Sequence, residues 1–280
     1  MKHVLTIAGS DSSGGAGIQA DIKTITRIGC HASTAVTALT AQNSKGVQGV
    51  YPIPSSFVSR QIEAVIADRM PDAVKLGMLF AASTIRAVAK LTGKYRVRTL
   101  VLDPVLKSST GSDLLEPEAV GVLKNTLLPL ARVVTPNLHE AEVLTGFRVR
   151  NLVEMEKASR AIHGLGPAVV IKGGHLRGES VDVLFDGKRI YHFSGTRILT
   201  PHTHGTGCVF SSALAAFLAL GYSLQKATRK AHDFVRAAIK KAYVCGAGAG
   251  PVNPAGILGA KDIGISQEGD KNNLFRDDKR

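Results

Sequence analysis

The chain has 280 residues, 44% of them hydrophobic, enough to bury one substantial α/β core. Three scattered cysteines, Cys30, Cys208 and Cys245, with no C-x-x-C pair, exclude a disulfide framework and suit a reducing cytosol. The net charge of +13 comes without tryptophan or an aromatic-interleaved basic stripe, which argues against nucleic-acid binding; the opening residues lack the apolar core of a signal peptide, and no run reaches the about 20 apolar residues of a membrane span.

In chain order, an apolar run at 4–8 predicts a strand, followed by a glycine-rich loop and a helix from 18 to about 28. A strand is expected over 32–41, a helix over 57–70 and a short strand over 73–76. Helix 83–91, strand 99–102, helix 117–128 and strand 132–135 follow, then helices near 139–144 and over 153–165 and a strand at 168–171. Strands apolar on both faces, alternating with helices, predict a mostly parallel sheet covered on each side. Segments 180–185 and 189–193 flank Asp186-Gly187-Lys188, a turn that predicts an antiparallel hairpin at one edge. Helices over 209–221 and 224–243 close the pattern. One domain over 1–260 and a mixed-charge, mobile tail over 261–280 are expected; the tail holds five basic and five acidic residues, so the excess charge belongs to the body.

Ligands of open parallel sheets bind beyond the C-terminal strand ends, where the polar and glycine clusters of this chain fall. His204-Gly205-Thr206-Gly207-Cys208 opens a helix. Its glycines serve turn geometry in one reading and an anion cradle in the other, because helix-terminal N–H groups and the helix dipole attract negative charge. Cys208 stands where a thiolate forms most easily. The cluster Gly9–Gly17 permits close backbone approach without the lysine of a P-loop, and Asp21 suits the following helix's dipole. Gln42, after the small residues 37–41, offers the donor and acceptor that an aminopyrimidine needs. Met78 either joins the core or lies against a planar ring. Asp103 with Asn137-x-x-Glu140 is an oxygen-rich set suited to hydrated Mg²⁺, although Asn137 serves equally as a helix N-cap. Lys172 ends a strand within reach of a transferring phosphate, while His175 and His204 read as polar supports.

Together AGSDSSGGAGIQAD, TALTAQN, KLGML, LDPV, TPNLHEAE, IKGGH, THGTGC and the late GPVN resemble the ribokinase-like superfamily. Within it they are similar to the bacterial hydroxymethylpyrimidine/phosphomethylpyrimidine kinases of thiamine biosynthesis, over residues 3 to about 255. The resemblance implies a three-layer sandwich and an ATP- and Mg²⁺-dependent kinase acting on 4-amino-5-hydroxymethyl-2-methylpyrimidine and then on its monophosphate. It implies pyrimidine contacts at Asp21, Gln42, Met78 and Val105, with Gly9 beside them. Gly205, Thr206, Gly207 and Cys208 become the anion hole, with Cys208 as proton acceptor. Lys172 and Asn137 fall in the ATP-phosphate region, and Asp103, Asn137 and Glu140 in the magnesium region, partly through water. A cytoplasmic homodimer is the implied form. Lys107 departs from the family's pattern next to Val105 and bears on the second phosphorylation. Pyridoxal kinase, of the same fold, and a non-catalytic pyrimidine sensor are the competing readings.

Overall fold

The computed structural model describes residues 1–257 apart from 109, 175, 177 and 178. The expected tail 261–280 and His175 lie outside the described residues. The strands are β1 (His3–Asp11), β2 (His31–Asn43), β3 (Gly46–Pro52), β4 (Ala73–Leu76), β5 (Leu100–Leu102), β6 (Val133–Val134), β7 (Ala168–Ile171), β8 (Ser180–Phe185) and β9 (Ile190–Gly195). They form one sheet in the order β3-β2-β1-β4-β5-β6-β7-β8-β9. The six strands from β2 to β7 in that order run parallel, and β3, β8 and β9 add antiparallel edges.

The helices are α1 (Gly17–Arg27), α2 (Ser55–Asp68), α3 (Ala82–Lys94), α4 (Ala119–Val122), α5 (Leu138–Thr145), α6 (Leu152–His163), α7 (Thr206–Ala219) and α8 (Leu224–Lys240). Strand alternation divides them into two layers. Leu5, Ile7, Val74, Leu102 and Ile171 face a core shared with α2, α3, α5 and α6. Val4, Ala73, Val101, Val133 and Val170 face the opposite core, filled by α1, α7 and α8. α7 is buried almost all round, which explains its run of alanines: small side chains let it lie close against the sheet.

Two elements differ from the sequence reading. The strand β3 makes a second antiparallel edge beside β2, with Leu39 opposite Tyr51. Its side chains are largely exposed, so it lacks the apolar run that marks the buried strands. The predicted helix 117–128 is α only over α4; it continues as a π turn, Leu123–Leu127, and a 3₁₀ turn, Leu128–Leu130. Pro129 has no N–H to donate and its ring crowds the carbonyl of Asn125, which disrupts regular α geometry there.

After β1 the chain builds outward through β2 and β3, then returns to β4 on the other side of β1. Strand order therefore reverses between β1 and β4, and the crevice beyond their C-terminal ends is the topological binding position of such sheets.

Candidate active site

The N-terminus of α7 is built by glycine. Gly205 caps it at φ 84°, and a Cβ there would stand 1.9 Å from the carbonyl oxygen of Gly15, so both the left-handed backbone and the contact require glycine. The backbone N–H of Thr206 is taken by Thr203 O at 3.3 Å, and that of Val209 by Gly205 O at 2.9 Å. Among the described residues no acceptor meets the N–H groups of Gly207 and Cys208. These are orphan donors of a 14-residue helix, the kind of group that can hold an anion.

Facing them is Lys172, at the end of β7. Its Nζ donates to Asp103 Oδ1 at 2.8 Å, and a Cβ on Gly207 would lie 3.3 Å from that Nζ and 3.6 Å from Asp103 Oδ2. Asp103, 2% exposed, also accepts from Thr135 Oγ1 at 3.1 Å and from Ser211 Oγ at 3.2 Å. Burial opposes its charge, but Lys172 and Lys75 beside it hold the carboxyl below the usual carboxylate range. Burial likewise opposes the charge on Lys172, and Asp103 and Glu140 overcome it, so the ammonium persists.

A second buried pair lies under the floor. Lys75 and Asp21 are both 0% exposed, with Nζ 2.9 and 2.8 Å from the two carboxylate oxygens. Asp21 also accepts from Thr6 Oγ1 and from Ser212 Oγ, each at 2.6 Å. Its carboxylate is thus committed to the protein interior, beneath the crevice rather than lining it. Lys75 is a feature the sequence reading missed. The signal was present, since it is the lone charge in the strand Ala73-Val74-Lys75-Leu76, buried on both faces.

Cys208 sits above these charges, and it corrects an expectation. Burial pushes its thiol up to about 11; Lys75 and a hydrogen bond from the Gly17 backbone pull it down, while Asp21 and Asp103 push it further up. Helix-terminal placement is outweighed by desolvation and two carboxylates, so the thiol is protonated at neutral pH in this state.

At the end of β1, Asp11 organises the Gly9–Gly17 loop. It accepts from Ser13 N and Oγ, Gly15 N and Ala16 N, and from His204 Nε2 at 2.8 Å. Burial opposes this charge too, but the bonds from His204 and Ser13 prevail and hold the carboxyl at about 2. Gln42 Nε2 lies 3.4 Å from His204 Nε2, and its Oε1 accepts from Thr40 Oγ1 at 3.2 Å. Asp11 and His204 therefore tie the loop carrying Gly9 to the start of α7, and the strand carrying Gln42 joins that loop through Ser12, whose Oγ donates to Gln42 O and accepts from Gln42 N, each at 2.8 Å. Met78, 8% exposed, packs on Gly9, where a Cβ would fall 2.8 Å from its sulfur. Val105 is half-buried next to Asp103, and Lys107 is engaged at the surface with Asp113 at 3.1 Å.

Asn137 and Glu140 meet, but chiefly as a capping box for α5: Asn137 Oδ1 accepts from Glu140 N at 2.9 Å and Glu140 Oε2 from Asn137 N at 2.8 Å. Glu140 is 4% exposed, and burial raises its carboxyl to about 7, with Lys172 opposing and Asp103 adding to the rise. Among the described residues no group of three or more His, Cys, Asp or Glu side chains gathers as a metal cage. Two buried carboxylates beside an anion cradle fit Mg²⁺, which keeps several waters and takes much of its coordination from substrate phosphates. Among the described residues no helix is long and apolar enough to cross a membrane.

The phosphomethylpyrimidine kinase family model matches residues 11–253. The chain is 50% identical over 262 residues to the thiamine biosynthesis bifunctional protein ThiED of Geobacter sulfurreducens, covering 93% of this chain but 53% of that protein. It is 44% identical to the hydroxymethylpyrimidine/phosphomethylpyrimidine kinase of Bacillus subtilis, covering 90% of this chain and 94% of the relative. Among solved structures, an ADP complex of Bacillus subtilis pyridoxal kinase superposes with a TM-score of 0.85 at 38% identity, over 91% of this chain and 98% of that one. The phosphomethylpyrimidine kinase of Clostridium difficile 630 gives 0.77 at 42% identity, over 85% of this chain and 100% of that one.

Proposed function

The chain belongs to the phosphomethylpyrimidine kinase family, with a ribokinase-like fold, and on that premise we propose that it phosphorylates 4-amino-5-hydroxymethyl-2-methylpyrimidine with ATP. The monophosphate formed is then phosphorylated again to the diphosphate, for thiamine diphosphate synthesis. The observation that carries this reading is the cradle itself: the unpaired N–H groups of Gly207 and Cys208 stand opposite the Lys172 ammonium, which is held by Asp103. Positive donors converging on one position are what a transferring phosphoryl group requires, because its transition state offers the protein charge to stabilise.

The pyrimidine lies between Gln42, Met78, Gly9 and Val105, with its hydroxymethyl group toward the cradle. Gln42 pairs with the ring nitrogen and amino group, and Met78 lies against the ring. Asp21 acts from beneath, keeping Lys75 and the start of α7 in register. The hydroxymethyl oxygen attacks the γ-phosphorus, the bond to the ADP oxygen breaks, and the hydroxyl proton passes to Cys208. Proton acceptance there needs the thiolate, whose population rises with pH. Lys172, Gly205, Thr206 and Gly207 hold the transferring group. Asp103 and Glu140, with Asn137 at the helix cap, would hold Mg²⁺ largely through water, and the ion would supply charge neutralisation for the phosphates. The active form in this reading is a cytoplasmic homodimer.

A coupled assay of ADP release tests the substrate directly. Turnover with the pyrimidine and little with pyridoxal is the expected result. The TM-score of 0.85 to a pyridoxal kinase supports a second reading, and turnover of pyridoxal alone would establish it in place of the first. Pyrimidine binding without ADP release would identify a sensor instead.

A further inference from the structure

One buried side chain outside the cleft, backed by a second, holds the residue after Lys172. Gly173 leaves the sheet where β7 ends, and a Cβ there would stand 1.9 Å from the carbonyl oxygen of Val181 on β8. The register Ile171↔Val183 is the last pair of the β7–β8 ladder, so beyond it the backbone needs another partner. That partner is a side chain: the Gly173 N–H donates to Asp182 Oδ1 at 3.0 Å, inside the protein. Asp182 is 7% exposed, and its other oxygen, Oδ2, accepts from His232 Nδ1 of α8 at 2.8 Å. His232 is itself 3% exposed, and its Nε2 is buried with no partner among the described residues. A ring held in such a place by one bond is oriented by that bond.

Alternation puts Lys172 and Asp182 on the same face of the sheet as Val170 and Leu184, the face covered by α7 and α8. Asp182 therefore braces the backbone of Gly173 from the side on which Lys172 projects toward the cradle. One residue further, Arg197 donates to Gly174 O at 2.7 Å, so among the described residues Asp182 alone serves the Gly173 N–H.

We propose that Asp182, oriented by His232, is a positioning residue for Lys172: by fixing the Gly173 N–H it sets where the Lys172 ammonium meets the nucleotide phosphates. This rests on the reading of Lys172 as a phosphate-binding group. Displacement of about 1 Å in such a group is enough to cost on the order of a hundredfold in rate. Asp182→Asn keeps an acceptor for Gly173 and a polar partner for the imidazole, whereas Asp182→Ala removes both.

The test is a double-mutant cycle in the full chain, read as affinity for Mg²⁺·AMP-PCP by calorimetry, with Asp182→Ala, Lys172→Ala and their combination. Asp182→Ala is expected to weaken the nucleotide analogue about tenfold, while affinity for the pyrimidine alone stays within twofold and Asp182→Asn recovers most of the loss. In the Lys172→Ala background, Asp182→Ala should change affinity less than twofold, because its effect passes through the lysine. Equal losses in both backgrounds, or equal losses for nucleotide and pyrimidine, would overturn the proposal and make Asp182 a merely structural residue. If Lys172→Ala alone leaves the analogue's affinity unchanged, the phosphate-binding reading of Lys172 itself is wrong, a separate outcome. Thermal unfolding of each variant confirms that the comparisons are made among folded proteins.

Discussion

Ser211 and Ser212 are neighbours on α7, yet they donate to two different buried aspartates, Asp103 at 3.2 Å and Asp21 at 2.6 Å. Each aspartate is paired with its own lysine, Lys172 and Lys75 respectively. The first turns of α7 thus rest on two ion pairs, one opening to the cradle and one sealed beneath it. This arrangement sets the position of Cys208 and the charges around it.

The sealed pair yields a stability prediction. Lys75→Met leaves Asp21 buried without a counter-charge and should cost about 3–5 kcal/mol, the usual penalty for breaking such a pair on one side. Combining it with Asp21→Asn removes the stranded charge and should restore a large part. Urea unfolding of the three variants measures this, and a single-variant loss under about 1 kcal/mol would show that the pair is not what holds α7 in place.

Asp11 should give the acid limb of the stability curve a recognisable component. Its carboxyl falls from an ordinary 3.8 to about 2 on folding, which corresponds to about 2 kcal/mol. The sign follows from the depressed value: the stabilisation is present above pH 4 and disappears as pH falls toward 2. Asp11→Asn should therefore be less stable than the natural chain at pH 6 by about that amount, with the gap closing near pH 2. A gap independent of pH would mean that the loop bonds, and not the ionised carboxylate, supply the stability.

For Cys208 the raised thiol predicts a pH dependence. If its thiolate accepts the substrate proton, kcat/KM for the pyrimidine climbs with pH through the neutral range, since the free enzyme's thiol titrates at about 11. Cys208→Ala should lower the rate by about 10²–10⁴ and flatten that climb. It keeps every backbone N–H of the cradle. Retention of most of the rate, with the same pH profile, would leave positioning and the charges of Lys172 and Mg²⁺ as the whole mechanism. Cys208→Asp should recover part of the loss.

Gln42→Leu tests substrate recognition separately from phosphate handling. Leaving a buried polar group of the pyrimidine unmatched costs about 1–3 kcal/mol, or roughly tenfold to a hundredfold in affinity. Calorimetry with the pyrimidine should show this loss while affinity for the nucleotide is unchanged. An unchanged pyrimidine affinity would remove Gln42 from the site.

Much of the architecture was legible in the residues. Apolar strands alternating with helical periods foretold the parallel sheet, and Asp186-Gly187-Lys188 foretold the β8–β9 hairpin. Of the clusters quoted for the resemblance, those that close β1, β2, β4, β5, β6 and β7 do fall at strand ends, whereas THGTGC opens α7 and GPVN follows α8. The edge strand β3 escaped because its side chains face solvent and leave no apolar signature. Lys75 was visible as a charge inside an apolar strand but had no visible partner.

Local sterics and periodicity, both written in the residues, settle the order of elements, the strand ends and the glycines at which backbone approaches backbone. Which charges meet depends on the fold. Lys75 joins Asp21 across 54 residues, Lys172 joins Asp103 across 69, and Ser212 reaches Asp21 across 191. The fold also decides that Cys208 is a protonated thiol although it stands at a helix N-terminus. A helix terminus acts through its own first turn, whereas desolvation and neighbouring carboxylates come from whatever the fold packs around the sulfur.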